Sequence, residues 1–225
     1  MINLLYKRKV LIAQLFIIIG YGISIPGLWM MRENPLAFQL SWIFTTVTLA
    51  ILLFFHKPFN LKFFLALLAV GVVGWAVEAI GTNTGLVFGN YSYGQSLGPK
   101  IWRTPFAMLI NWMISVYLVT MILRAKIVNI WRLGFAGALI MVIYDILLEP
   151  VAIRLDMWSW AGGNPPLQNY IAWFVVSFPL VMLLGKYTKG SENPLVPIVL
   201  ICQLLFFGLL NVLIAFAGMY LLVIP

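Results

Sequence analysis

Apolar runs of about twenty residues recur along the whole chain, separated by short segments that hold most of its charge. A helix needs about 20 mostly apolar residues to cross the hydrocarbon core of a bilayer. Seven runs meet that length: Val10–Trp29, Ala37–Phe55, Phe63–Thr82, Pro105–Leu123, Leu133–Ile153, Gln168–Leu184 and Leu195–Leu222. The first is too long and glycine-rich for a cleaved signal, and no small-residue cleavage site follows it. The last is long enough to tilt or to run past the membrane. The pattern predicts an all-α, polytopic membrane bundle of about seven transmembrane helices, with six or eight as alternatives. Residues 1–225 read as a single integral membrane domain, without an internal repeat or low-complexity tail.

Composition agrees. Of 225 residues 63% are hydrophobic and 9% charged, where a soluble protein carries about a quarter charged residues. The mean hydropathy is +1.03. The net charge of +8 does not indicate nucleic-acid binding, because the basic residues lie in short clusters between apolar runs and the aromatics lie inside the runs. With the N-terminus in the cytoplasm, the inner segments hold Lys7, Arg8, Lys9, Lys57, Lys62, Arg124, Lys126, Arg132, Lys186 and Lys189. The outer segments hold Arg32, Lys100, Arg103 and Arg154. Ten against four predicts a cytoplasmic N-terminus and an external C-terminus, in a cell membrane.

Two segments break the apolar monotony, and both fall on the outer side. One follows the third span, from Gly81 through Asn90-Tyr-Ser-Tyr93 to Gly94. The other follows the fifth, from Glu149-Pro150 through Trp158-Ser-Trp160 to Pro166. Of the six acidic residues, Glu33, Asp156 and Glu192 lie in loops and read as solvated charge. Glu78, Asp145 and Glu149 lie within apolar spans. A carboxylate at mid-membrane costs about 2.5–3.5 kcal/mol, so three cost up to roughly 10 kcal/mol, comparable with the net stability of a domain. Position near the outer interface lowers that sum without removing it. Such residues must be protonated, paired, or turned toward a wet cavity.

Their spacing makes a constellation. Asp145 and Glu149 are four apart and share a helix face that continues through Met141 and Gly137. Pro150 has no N–H for the carbonyl of Ile146, which predicts a kink or helix end at Glu149 and free backbone to line a pocket. Glu78 sits in a stripe of Gly71, Gly74, Gly81 and Gly85 that admits a close neighbouring helix. Two nearby carboxyls do not readily ionise together, so one holds its proton beside an ionised neighbour, as a general acid beside a general base. Pairing with Arg103 or Arg154 for purely structural ends is the competing reading. Trp29, Trp42 and Trp131 fall at span ends, where the interfacial belt explains them. Tyr91, Tyr93, Trp158, Trp160 and Trp173 cluster near the acids along the chain; the belt can explain any one of them, and so can cation stabilisation by their π faces.

Cys202 is the only cysteine, so the chain has no internal disulfide, and His56, the only histidine, reads as an interfacial loop residue. One histidine cannot build the clusters of iron-dependent membrane hydroxylases, and no metal-binding spacing is present. No G-x-G-x-x-G offers a dinucleotide site. The expected chemistry therefore uses no metal and no redox cofactor.

Two blocks carry a family resemblance. They are Glu78-Ala-Ile-Gly-Thr-Asn-Thr-Gly-Leu-Val-Phe-Gly-Asn-Tyr-Ser-Tyr-Gly94, and Asp145-Ile-Leu-Leu-Glu-Pro-Val-Ala152 followed by Trp158-Ser-Trp160 and Gln168-Asn-Tyr-Ile-Ala-Trp173. Their order and spacing, over roughly residues 70–180, resemble the CruF-like membrane carotenoid hydratases, and more distantly the small membrane lycopene cyclases. The resemblance implies addition of water across the terminal (1,2-type) double bond of a carotenoid ψ end, giving a tertiary alcohol. It implies a γ-carotene-like or lycopene-like substrate, water and membrane lipid as partners, and other carotenoid enzymes as neighbours. An acid protonates the alkene, a tertiary cation forms, and water adds with the help of a base. Asp145, deeper in its span, is assigned the acid and Glu149, nearer water, the base. Glu78 tunes the pair or exchanges roles with it. Asn169 and Asn83 are candidates for orienting water. A lycopene-type cyclase, a proton-coupled lipid or pigment transporter and a non-enzymatic scaffold are the alternatives. A retinal photoreceptor is excluded, since no lysine follows Lys189.

Overall fold

The computed structural model describes residues 2–30 and 35–223, with side chains described over 4–27 and 42–216. Arg32, Glu33 and the side chain of Trp29 lie outside these residues. Seven helices follow one another: α1 (Ile2–Met30), α2 (Pro35–Phe55), α3 (Leu61–Thr84), α4 (Ala107–Arg124), α5 (Ile130–Arg154), α6 (Leu167–Tyr187) and α7 (Val196–Val223). Among the described residues six are long and apolar enough to cross a membrane, and the described side of α2 supplies a shorter apolar stretch, Trp42–Phe55. Large apolar side chains face outward: Ile143 is 63% exposed and Phe54 70%, whereas Asp145, two residues beyond Ile143, is at 0%. An apolar exterior around a polar interior is the arrangement a bilayer imposes. The protein is an integral membrane helix bundle.

The helix ends are closed locally. Asn60 caps α3 by accepting from the N–H of Phe63, and Asn129 caps α5 by accepting from Trp131 and Arg132. Gly85 ends α3 in the left-handed region, at φ 69°, with its N–H on the carbonyl of Gly81. Glycines bring two pairs of helices close together, α3 with α4 and α5 with α6. A side-chain carbon on Gly71 or Gly74 would run into Met113 or Trp112 of α4, and one on Gly134 or Gly137 into Met182 or Val181 of α6.

Of the kink or helix end expected at Glu149, the helix end is not found: α5 carries Pro150 internally and runs on to Arg154. So close to a helix terminus, the proline costs one backbone hydrogen bond. The last turn is held by Leu155 N–H on Val151 O and Met157 N–H on Ala152 O.

Four short strands lie between helices: β1 (Tyr91–Tyr93), β2 (Lys100–Ile101), β3 (Thr104–Pro105) and β4 (Trp158–Trp160). β1 pairs antiparallel with β4, and β2 with β3. The β1–β4 ribbon joins the two polar segments across one end of the bundle.

At the opposite end, Lys57 and Glu192 exchange backbone hydrogen bonds. His56 there is buried rather than interfacial, at 2% exposure. It stacks on Phe63, and its Nδ1 lies 2.9 Å from the Tyr117 hydroxyl, which also accepts from Asn193 Nδ2. Burial pushes the imidazole down to about 4. An unfolded chain takes up this proton near pH 6.5, and the folded protein only near 4, so acid favours unfolding between those values. The melting temperature in detergent is expected to fall as pH drops from 6.5 to 4. A His56→Gln variant, lacking this proton, should show a shallower fall.

Candidate active site

The ribbon shows how a local pattern builds the site. Side chains alternate across a strand, and the register pairs Tyr91 with Trp160, Ser92 with Ser159 and Tyr93 with Trp158. The four aromatics therefore turn inward together, while the serine hydroxyls face out, 3.2 Å apart. The ladder continues through Gly94 N–H on Met157 O and Ala161 N–H on Asn90 O.

Beneath the ribbon lie the three acids, all at 4% exposure or less. Glu78 Oε2 accepts from the hydroxyls of Tyr91 (2.6 Å) and Tyr93 (2.7 Å), and Oε1 from the indole of Trp112 (3.2 Å). Glu149 Oε2 accepts from the indoles of Trp158 (3.1 Å) and Trp160 (3.0 Å). Asn169 of α6 joins the two acids of α5: its Nδ2 donates to Asp145 Oδ2 at 2.6 Å and lies 3.5 Å from Glu149 Oε1. Asp145 Oδ1 accepts from nothing among the described residues. All donors facing these acids are neutral, and Arg103 and Arg154 are exposed. Burial, and then the Glu78 carboxylate, hold both ribbon tyrosines well above the usual phenol value. They remain donors at any working pH.

The acids, the four ribbon aromatics, Asn169 and Trp173 line one small pocket, with about 270 Å³ of empty space that includes its opening to the surface. Asn83 is not brought there; it is exposed, and its amide donates to the carbonyls of Ala79 and Trp102. Met108, Trp158 and Trp173 also line a second, larger and mostly apolar cavity with about 1050 Å³ of empty space, part of it open at the surface. Trp42 lines that cavity as well, whereas Trp131 is 64% exposed, as the interfacial belt requires.

Trp112 escaped the sequence reading. Besides donating to Glu78 it stacks on Trp173, with centroids 4.8 Å apart and planes 21° from parallel. The available signal was its position: a tryptophan beside Asn111 in the middle of a span, where no interfacial belt accounts for it.

Fold and site together define a polytopic membrane protein with a buried acidic centre, closed by an aromatic ribbon and adjoining an apolar cavity. The chain belongs to the carotenoid biosynthesis protein family, whose model matches residues 37–224. It is 27% identical over 129 residues to a bisanhydrobacterioruberin hydratase of Haloarcula japonica, a match covering 53% of this chain and 43% of that protein. The chain thus spans less than half the length of that relative. No solved structure matches it.

Proposed function

We propose that the chain is a carotenoid hydratase of the cell membrane, adding water across the terminal double bond of a ψ end to give a tertiary alcohol. The observation that carries this reading is the asymmetry among the carboxyl oxygens. Both oxygens of Glu78, both of Glu149 and Oδ2 of Asp145 have donors nearby, whereas the buried Oδ1 of Asp145 has none. A carboxylate that collects donors is the acceptor-only ionised form, and an oxygen without a donor is where a carboxylic acid keeps its hydrogen. Asp145 is therefore the acid.

The end of the polyene passes from the apolar cavity into the acidic pocket. Asp145 gives its proton to the less substituted alkene carbon, leaving a tertiary cation. Trp112, Trp173 and the ribbon aromatics offer π faces to that cation, and the ionised Glu78 opposes its charge. Water then adds to the cation. Glu149 takes a proton from it through Oε1, which among the described residues accepts only the long bond from Asn169. One proton has left Asp145 and one has reached Glu149, so a single transfer resets the pair. The atoms added are those of one water.

The test is anaerobic conversion of lycopene or γ-carotene in water enriched with heavy oxygen. The product is expected to be heavier by one water and to carry the label. Dependence on O2 would sink the reading; an isomer of unchanged mass would indicate a cyclase; uptake without a product would indicate a transporter. We further propose that the ribbon faces outward and the Lys57–Glu192 end the cytoplasm. With Cys202 replaced by alanine, a cysteine at exposed Ser92 should react with an impermeant thiol reagent in intact cells, and one at Val128, 77% exposed, should not. The reverse labelling would invert the topology.

A further inference from the structure

The β2–β3 hairpin stands apart from the acidic pocket and holds a conformation that its own residues resist. Its register leaves a two-residue loop, Trp102-Arg103, between Ile101 and Thr104. Both loop residues have positive φ, 48° and 63°, the signature of a type I′ turn, in which asparagine and glycine are the favoured pair. A bulky residue at positive φ is strained, and such strain persists only where the surrounding structure imposes it. Trp102 stacks on Trp75 of α3, with centroids 6.4 Å apart, and its carbonyl accepts from Asn83. The base of the hairpin is closed by Phe106 N–H on Pro99 O. The two side chains at the tip nevertheless point away from the protein. Trp102 is 75% exposed, and the Arg103 guanidinium, also exposed, meets no acceptor among the described residues.

We propose that this tip is a lipid-headgroup site, at which Arg103 binds the phosphate of a membrane phospholipid and Trp102 lies beside its glycerol backbone. Apolar surface flanks the tip. Ile101 and Phe106 on the hairpin are exposed, as are Val72, one turn from Trp75, and Ile80, one turn from Asn83. The hairpin thus continues the apolar exterior of the bundle up to its polar end, which is the depth of the headgroups. A tryptophan ring is favoured at that depth, and a guanidinium offers a phosphate two parallel hydrogen bonds. Lys100, the other cation of the hairpin, donates to the carbonyl of Tyr93 at 2.8 Å and so ties the tip to the ribbon above the acids. β3 leads directly into α4, whose Met108 lines both cavities. A headgroup held at the tip fixes the rim of the site at a set depth in the membrane, whatever reaction the site performs.

The probes are phosphatidylglycerol and a monogalactosyl diacylglycerol with the same acyl chains, the second lacking phosphate. Binding to the full chain in detergent is read by native mass spectrometry and by thermal shift. Phosphatidylglycerol is expected to bind about tenfold more tightly, and Arg103→Gln to bring that ratio within about twofold. Arg154→Gln removes a different exposed arginine and should leave the ratio unchanged. Arg103→Gly separates the lipid from the fold. Glycine relieves the turn, so the melting temperature without lipid should rise while the preference for phosphatidylglycerol is lost. A fall in that temperature would show that the arginine serves the fold, and would overturn the proposal. An undiminished preference in either Arg103 variant, or an equal loss in Arg154→Gln, would overturn it too. Glycerol 3-phosphate should not displace the lipid; displacement at matching concentration would assign the tip to a soluble phosphate instead. A dimer that dissociates in Arg103→Gln would assign it to a second copy of the chain.

Discussion

Asp145→Asn is expected to lower turnover by about 10²–10⁴, the usual cost of losing one proton-transfer group, while the protein still inserts and folds. The amide has the acid's shape. Its oxygen can sit where Oδ2 sits, accepting from Asn169, and its NH2 then takes the place of Oδ1. That nitrogen carries one hydrogen more than the acid's hydroxyl where no acceptor waits, and this extra unmet donor is expected to cost about 1–3 kcal/mol, far less than the kinetic loss would require if folding were the cause. Glu149→Gln should act similarly on the second half-reaction: its amide oxygen still accepts from Trp158 and Trp160, but it no longer takes a proton from water. The quantity to measure is activity per folded molecule, alongside the melting temperature in detergent. The competing structural account needs Arg103 or Arg154 to be orphaned, and both are exposed, whereas the acids are buried. Near-normal specific activity in both amide variants would remove the pair from the mechanism.

Gly74→Ala should be nearly as damaging, although it adds a single carbon. In an unconstrained helix this change is favourable by about 1 kcal/mol. Here the new carbon would lie 2.2 Å from Cγ and 2.7 Å from Cβ of Trp112. Those atoms are the root of the ring system and cannot swing aside, so α3 and α4 must separate. Overpacking of this kind costs about 1–3 kcal/mol, which outweighs the helical gain. It also pulls Trp112 away from both Glu78 and Trp173. A lower melting temperature and a fall in specific activity are expected together. Gly208→Ala is the control: nothing lies within 4 Å of its added carbon, and it should be neutral or stabilising. If both variants behave alike, the close approach of α3 and α4 is not what positions Trp112.

The helices were legible because a bilayer tolerates few alternatives to long apolar runs, and each of the seven runs lies within a helix to within a residue or two. The three acids were legible because carboxylates in such runs are costly enough to stand out. Tyr91, Tyr93, Trp158 and Trp160 were picked out as a chain cluster, but not as one face of a ribbon, because strand pairing between segments some 65 residues apart leaves no local signature. Pro150 does not end its helix for a physical reason: the rule against proline weighs the missing N–H, not how close the helix already is to its end. The sequence names Asn83 as a candidate but not the direction of its amide, which turns to the carbonyls of Ala79 and Trp102. Trp112 comes from a span with no acid of its own, so its bond to Glu78 emerges from the packing of α4 against α3.

The period-two geometry of the ribbon makes its alignment an all-or-none property. A slip of one residue between β1 and β4, or one residue inserted in either strand, moves side chains to the opposite face. The serine of the strand that slips would then look down on the acids, and its two rings would turn outward. Glu78 would lose both phenol donors if β1 turned, and Glu149 both indole donors if β4 did. The loops flanking the ribbon should therefore accept changes in length far more readily than the six residues of the ribbon itself.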